Sequence, residues 1–274
     1  MIRIFCCPVC SNALVKEQND LRCIKGHSFN IAKEGYTNLA LSNRSHTKVS
    51  GDDRDMVKSR TLFLEGGYYE PLREKMCDLI EKTNISSPVL VDSGCGEGYY
   101  THSYCKTVLK MGGRTAGIDL SKAAIKHASK TCPDAEFAVA SVYHIPIADN
   151  TADIVVNCFS PLAPAEFFRI LKKGGYFFYV VPDAAHLWEL KQVLYDVPYE
   201  NEVKLEEYAG FEYVDTVQVK NKFTLDSTEK ILALLNMTPY AHRTARSSIE
   251  KLKKLSILEV TAQFRIIVYR KADI

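Results

Sequence analysis

The chain has 274 residues, a formal net charge of +2, and a composition that is 46% hydrophobic and 25% charged. These values are typical of a folded globular protein and allow one large domain with additions or two modest ones. No run approaches the roughly eighteen apolar residues of a membrane span, and the first residues lack a secretory signal, so we expect a cytoplasmic protein with no membrane contact. The nine cysteines fit a reducing compartment better than a disulfide framework.

The amino-terminal segment carries a cysteine and histidine spacing that is typical of zinc sites. Two residues separate Cys7 from Cys10, twelve separate Cys10 from Cys23, and three separate Cys23 from His27. These four ligands would bind one structural Zn²⁺ per chain, with no open position for chemistry. A redox Cys-x-x-Cys or unrelated cysteines are the alternatives, and Cys6 is a spare thiol next to the ligand set.

The sequence suggests three successive parts. We expect a zinc-binding module for RNA recognition at 1–41, a linker and helix at 42–70, and a larger domain at 71–274. So small a module would depend on metal for its folding energy, and its unfolding on metal loss would leave the larger domain folded. Lysine and arginine exceed acids in the first 50 residues, which favours contact with a polyanion; a solvated basic face is the alternative.

Two helices are predicted between the module and the first strand of the larger domain. Ser50 and Asp53 resemble a capping box, which would start a helix that runs towards Leu64. Pro71 would open the second helix. Tyr68 and Tyr69 lie in the predicted turn between the two.

Residues 88–100, PVLVDSGCGEGYY, contain the pattern on which the functional interpretation depends. The apolar run at 89–91 predicts a buried parallel strand, and a helix is predicted at 99–110. Between them lies a D-x-G-x-G-x-G series, formed by Asp92, Gly94, Gly96 and Gly98. Glycine allows the backbone to turn sharply and approach a ligand closely, so this loop predicts a nucleoside-type cofactor at the carboxyl end of the strand.

Two acids indicate which nucleoside cofactor the loop would bind. A dinucleotide loop reads G-x-G-x-x-G and cradles a pyrophosphate, which Glu97 inside this loop would repel. A carboxylate suits the positive sulfonium and ammonium groups of S-adenosylmethionine. The second apolar segment, 115–118, ends in Asp119, where an acid can accept both ribose hydroxyls. The pattern resembles the class I methyltransferases.

Strands and helices alternate after this loop, which predicts a doubly wound parallel sheet. Further strands are expected at 137–140, 153–159 and 176–181, and helices at 121–130 and 165–173. The fourth strand ends at the same sheet edge as the glycine loop, where an acceptor would bind. Weak catalytic candidates at this end are Phe159 for stacking and, for the edge of a base, Asn157 and Ser160. The alternative is that Asn157 and Phe159 have no catalytic role and only complete the fourth strand.

The carboxyl-terminal part departs from simple alternation. A helix is predicted at 183–194, and antiparallel strands at 211–225 and 258–269 would close the sheet. Asp226, with Glu229 three residues later, resembles a second capping box before a helix at 227–235.

Over nearly its full length the chain resembles the bacterial large-subunit (23S) rRNA guanine-N1 methyltransferases. Besides the zinc spacing, the segments that carry the resemblance are AKEGYTNL at 32–39, FLEGGYYEPLR at 63–73, DSGCGEGYYTH at 92–102, HLWELK at 186–191 and MTPYAHR at 237–243. The resemblance implies a class I methyltransferase (Rossmann-like) α/β fold with a small amino-terminal zinc-binding module. It also implies a homodimer with a cleft for a 23S rRNA hairpin, and cofactor contacts at Tyr69, Gly96, Glu97 and His186.

The expected activity is therefore transfer of a methyl group from S-adenosylmethionine to N1 of a guanine in an rRNA hairpin loop. A small-molecule methyltransferase is one alternative, although a zinc module and basic linker would have no obvious use in it. A catalytically silent RNA-binding protein of the same fold is another, but the intact glycine loop and Asp119 argue against silence.

Overall fold

The computed structural model of the protein describes residues 3–41, 54–242 and 244–273. The capping signal at Ser50 and Asp53, and most of the predicted linker, lie outside these residues. Among the helices that are described, none is long and apolar enough to span a lipid bilayer.

Short strands at the amino end precede an alternating α/β region. The strands in chain order are β1 (Val15–Glu17), β2 (Asp20–Arg22), β3 (Ser28–Asn30), β4 (Thr37–Asn38), β5 (Val89–Ser93), β6 (Arg114–Asp119), β7 (Glu136–Val139), β8 (Ala152–Cys158), β9 (Leu171–Pro182), β10 (Phe211–Leu225) and β11 (Leu258–Lys271). The helices are α1 (Arg54–Glu65), α2 (Glu70–Lys82), α3 (Tyr99–Lys110), α4 (Lys122–Thr131), α5 (Pro164–Ile170), α6 (Trp188–Leu194), α7 (Thr228–Asn236) and α8 (Arg246–Lys253).

Eight of these strands form one sheet in the order β10-β11-β9-β8-β5-β6-β7-β4. The pairs from β9 to β4 are parallel, whereas β11 pairs antiparallel with both β9 and β10. The predicted parallel sheet with antiparallel closing strands is confirmed. Because β5 lies between β6 and β8, the carboxyl ends of these three strands meet at one edge.

Helices α2, α3, α6 and α7 cover one face of the sheet. Their side chains Met76, Tyr104, Leu190 and Leu234 form a buried cluster with Phe264 of β11. Parallel strands are stable when both faces are covered, so a second layer must protect the opposite face.

The amino-terminal module contributes much of that second layer. Leu14, Leu21 and Leu39 share a buried cluster with Val91 and Ile118 of the large sheet. α5 packs into the same cluster. The module and the α/β region therefore bury one common apolar core.

Backbone hydrogen bonds also join the module to the sheet. The short strand β4 pairs in parallel with β7, and Leu39 N donates to Val139 O at 2.9 Å. Ile4 N donates to the Glu136 carboxylate at 3.1 Å. These contacts change the expectation that the module would unfold alone on metal loss, because part of it is a strand of the large sheet.

The helix predicted at 165–173 ends earlier than expected. α5 stops at Ile170 because Leu171 becomes extended, pairs with Ala152 of β8 and is fully buried. The glycines after Lys173 therefore lie inside β9 rather than at the end of the helix.

The helix predicted at 183–194 begins later than expected. α6 starts at Trp188, and Leu187 before it has the left-handed φ of +55°. The preceding turn is attached to β11 instead, since Leu187 N donates to Thr261 O at 2.9 Å. His186 consequently lies in a buried turn rather than on a helix.

The capping residues predicted for α4 and α7 can be compared with those in the structure. Ser121 caps α4 as predicted, with its Oγ accepting from Ala124 N at 3.2 Å. At α7 the cap is Ser227, whose Oγ accepts from Lys230 N at 3.3 Å, and not Asp226. The Asp226 carboxylate accepts from the Lys230 ammonium instead.

Candidate functional site

The four predicted metal-ligating side chains of the module converge on one point. The possible ligand atoms of Cys7, Cys10, Cys23 and His27 all lie within 4.8 Å of one another. His27 Nδ1 is 3.5 Å from Cys7 Sγ and 3.3 Å from Cys23 Sγ, and the sulfurs of Cys10 and Cys23 are 3.6 Å apart. Tetrahedral Zn²⁺ with bonds of about 2.0 to 2.3 Å holds its ligands about 3.3 to 3.8 Å apart, so these three separations match those around this ion.

The structure distinguishes Cys6 from Cys7. Cys7 belongs to the cluster, whereas Cys6 is outside it and its backbone N donates to Pro146 O. Next to the metal site, Asn12 Nδ2 donates to Cys10 Sγ at 3.3 Å. Hydrogen bonds from Asn12 lower the pKa of the Cys10 thiol to about 6, which favours the thiolate that binds metal.

At the carboxyl end of β5 the glycine loop adopts the backbone that its sequence requires. Gly94, Gly96 and Gly98 have φ values of +80°, +55° and +90°, which side chains with Cβ rarely adopt. Gly94 N and Cys95 N both donate to Ile118 O of β6. The loop is therefore bound to the neighbouring strand and leads directly into α3.

Asp119 holds the loop from the end of β6. One of its carboxylate oxygens accepts from Gly96 N at 3.1 Å, and the other accepts from Ser121 N at 2.7 Å. A carboxylate oxygen has two lone pairs, so one that accepts a backbone hydrogen bond is chemically able to accept from a ligand hydroxyl as well. The predicted ribose acceptor thus also shapes the glycine loop.

Asp92 and Glu97 are buried carboxyl groups, the first before the glycines and the second between Gly96 and Gly98. Thr101 Oγ1 donates to Asp92 Oδ2 at 2.6 Å, and burial raises the pKa of Asp92 to about 7, with the charges of Asp119 and Glu97 adding to the shift. Glu97 is 5% exposed and forms an ion pair of 3.8 Å with Arg60 of α1. The loop is therefore strongly acidic, as a cationic ligand requires.

Tyr69 and His186, which lie far apart in the sequence, meet beside this edge. Tyr69 Oη is 3.5 Å from His186 Nε2, and both rings pack against Phe264 with centroids 4.7 Å away. His186 Nδ1 lies 2.8 Å from Gln263 O and 3.2 Å from Gln263 N, so the ring is held against the backbone of β11. Burial lowers the pKa of His186 to about 4, so the ring is neutral at pH 7.

The three residues at the end of β8 differ in what they offer a substrate. Phe159 is 45% exposed, has a φ of +54° and packs against Phe264 at 5.4 Å. Asn157 is buried, and its amide donates to Ser160 Oγ and Pro161 O at 2.6 and 3.0 Å. A left-handed bulky residue is a strained conformation that commonly marks functional sites, so Phe159 is the best placed of the three.

Sequence reasoning did not find three members of this site. Arg60 lies on α1 and Phe264 on β11, and neither carries a local motif. Thr101 lies within the segment 92–102, nine residues after the carboxyl group that it binds. A helix that starts at 99 would place Thr101 on its first turn, facing the strand. The spacing of nine residues from Asp92 could therefore have predicted this contact.

Comparison with known proteins agrees with this geometry. Residues 91–179 match the family model described as a methyltransferase domain, and residues 5–48 match a zinc-ribbon model described as the amino-terminal part of RlmA. The sheet order, the glycine loop and its acids define a class I S-adenosylmethionine-dependent methyltransferase with a structural zinc site.

Similarity over the full length identifies the family. YxjB of Bacillus subtilis, named for 23S rRNA (guanine-N(1)-)-methyltransferase activity, is 34% identical over 98% of this chain and 97% of its own length. A Micromonospora griseorubida protein named for the same activity is 30% identical over 96% of each chain. The 23S rRNA (guanine(748)-N(1))-methyltransferase of Streptomyces fradiae is 34% identical over 71% of this chain and 69% of its own. The chain belongs to the family of 23S rRNA guanine-N1 methyltransferases, which confirms the predicted family.

The first prediction concerns the metal. Cys10→Ser or Cys23→Ser should release the zinc and lower the melting temperature of the whole chain by more than about 5 °C, because the module shares its core with the sheet. Metal analysis and thermal unfolding, followed through far-UV circular dichroism, test this. Cys6→Ala is the matched control and should retain its zinc. An unchanged melting temperature of the sheet after zinc loss would contradict the shared core.

The second prediction concerns Asp92. Its pKa is higher in the folded state than in the unfolded chain, so the folded protein keeps a proton between about pH 4 and 7 and loses stability as pH rises through that window. Asp92→Asn should therefore stabilise the ligand-free protein at pH 8, by at most about 4 kcal/mol, and have little effect at pH 4.

Urea unfolding at several pH values measures this difference. The exposed Asp134→Asn is the control and should show no such pH dependence. A loss of stability at pH 8 in Asp92→Asn would mean that the ionised carboxylate stabilises the loop.

Proposed function

We propose that the protein transfers a methyl group from S-adenosylmethionine to N1 of a guanine in a hairpin loop of 23S rRNA. The observation that carries the proposal is the end-to-end similarity to relatives named for this activity, in a chain that retains both the zinc cluster and the glycine loop. A cytoplasmic location, where rRNA is available, and a homodimer with a cleft for the hairpin belong to the same proposal.

The cofactor would be held at the carboxyl edge of β5 and β6. Backbone groups of Gly94, Gly96 and Gly98 would approach it closely, and Asp119 would accept from its ribose hydroxyls. The Glu97 carboxylate would bind its ammonium group. Asp92, Tyr69 and His186 complete the proposed set: Asp92 supports the loop through Thr101, and the two rings lie against Phe264 at the acceptor side.

The bound cofactor supplies an electrophilic methyl group, and the chain must present guanine N1 to it. In neutral guanine N1 carries a proton and its lone pair is delocalised, so that proton must leave before or during transfer. N1 also lies on the Watson–Crick edge, so the base must be taken from a loop or extruded from its stack. An exposed aromatic ring at the acceptor edge suits this task, and Phe159 provides it.

Asn157 and Ser160 are proposed to support that presentation. The Ser160 hydroxyl donates to Ser93 O at 2.6 Å and accepts from the Asn157 amide, so the two side chains fix the turn that follows Phe159. They link the end of β8 to the end of β5, where the cofactor loop begins. Contact of either side chain with the edge of the base stays a prediction.

The third prediction tests the activity itself. Incubation with S-adenosylmethionine labelled in the methyl group should transfer label to a 23S rRNA hairpin and not to a metabolite extract. The product should stop reverse transcriptase at one guanine, because an N1-methyl group blocks the pairing edge. Mass spectrometry that locates the methyl group on N7, on a ribose oxygen or on a cytosine would overturn the assignment. Label in the metabolite extract alone would indicate a small-molecule methyltransferase.

The fourth prediction separates acceptor from cofactor binding at Phe159. Phe159→Ala should lower kcat/KM on the hairpin by about 10- to 100-fold, which is what loss of one base-stacking contact costs. Calorimetry should show affinity for S-adenosylhomocysteine within about 3-fold of wild type. Tyr213→Ala is the control, since Tyr213 is an aromatic residue with 49% exposure that pairs with Tyr269 of β11, away from the carboxyl end of β9. Equal losses of turnover and cofactor affinity would assign Phe159 to the cofactor side.

A further inference from the structure

Arg60 projects from α1 towards the glycine loop. Its Nη1 is 3.8 Å from Glu97 Oε2. A Cβ built on Gly96 would lie 3.5 Å from the same nitrogen, the nearest described group apart from the adjoining residues. The guanidinium therefore faces the part of the loop where glycine leaves room for a ligand.

A second observation places the same charge near the methyl-transfer edge. Burial and the charges of Asp92 and Glu97 raise the pKa of the Cys158 thiol, and the charge of Arg60 opposes them. Cys158 is the last residue of β8 and immediately precedes Phe159. The charge of Arg60 is thus close enough to act on the end of β8 as well as on the glycine loop.

The guanidinium has five N–H donors, so its ion pair with Glu97 is compatible with a second, ligand carboxylate. A distance of 3.8 Å is longer than the 2.7 to 2.9 Å of a charge-assisted hydrogen bond, and the Arg60 side chain is 25% exposed. A planar guanidinium is, however, the preferred partner of a carboxylate, which it binds through two parallel hydrogen bonds.

The charge of the site supplies the physical need for such a partner. Asp92, Glu97 and Asp119 lie close enough for the latter two to raise the pKa of the first. The methionyl part of S-adenosylmethionine carries an ammonium group, which these acids attract, and an α-carboxylate, which they repel. A cation must offset that repulsion if the whole amino-acid group is to bind.

We infer that Arg60 binds the α-carboxylate of the methionyl group of the cofactor, while Glu97 binds its ammonium group. The two side chains, paired at 3.8 Å without ligand, then form a receptor for the two charges of an amino acid. Arg60 is a cofactor-specificity residue in this arrangement: it selects ligands that retain the carboxylate. The inference concerns the cofactor alone and is independent of which RNA base accepts the methyl group.

Calorimetry with two product analogues tests the inference without RNA. The probes are S-adenosylhomocysteine and its decarboxylated form, S-adenosyl-3-thiopropylamine, which differ only in the carboxylate. Arg60→Gln should weaken binding of S-adenosylhomocysteine by about 10- to 100-fold, as expected for loss of a hydrogen-bonded charge pair. The same change should alter binding of the decarboxylated probe by less than about 2-fold, so that the variant no longer distinguishes the two ligands.

Further variants control for indirect effects. Arg60→Lys keeps the charge and should recover part of the discrimination. Lys58→Gln removes an exposed charge from the same helix and should behave as wild type with both probes. Thermal unfolding of each variant shows whether α1 remains folded. Equal weakening of both ligands by Arg60→Gln would overturn the inference, because Arg60 would then act only by shaping the loop through Glu97.

Discussion

The position of β5 between β6 and β8 determines where the acids Asp92 and Asp119 lie. Parallel pairing brings the carboxyl ends of all three strands to one edge, so Asp92, Asp119 and Phe159 become neighbours although long segments of chain separate them. The same pairing concentrates negative charge: Asp92 has a pKa of about 7 because it is buried and has two other acids nearby. The fold carries this cost at the place where we propose that a cationic ligand binds.

Patterns that lie within a short stretch of sequence were predicted correctly. The apolar run before Asp92, the glycine series after it and the Ser121 cap each depend on a few adjacent residues, and all appear in the structure. The errors arose where distant strands decided the outcome. α5 ends at Ile170 because Leu171 pairs with β8, and His186 leaves the predicted helix because its turn is attached to β11.

The site shows the same division between local and long-range information. Metal spacing predicts the zinc cluster because a hairpin-sized segment supplies all four ligands. Arg60 and Phe264 carry no local motif, and they reach the site only through the packing of α1 and the register of β11. Tyr69 and His186 were identified by resemblance alone, and the structure adds the physical relation between them, a common contact with Phe264.

The pairing of β4 with β7 also has a consequence for the order of events during synthesis. The zinc ligands and β4 leave the ribosome early, but Thr37 must wait for Ala138, about one hundred residues later in the chain. At typical elongation rates this delay lasts roughly 5 to 20 s. During that time the apolar side chains of the module that later join the sheet, such as Leu39, have no partner surface. Early binding of zinc would keep the nascent module compact through this interval. The metal would then stabilise the module before the large sheet exists, and the folded protein afterwards.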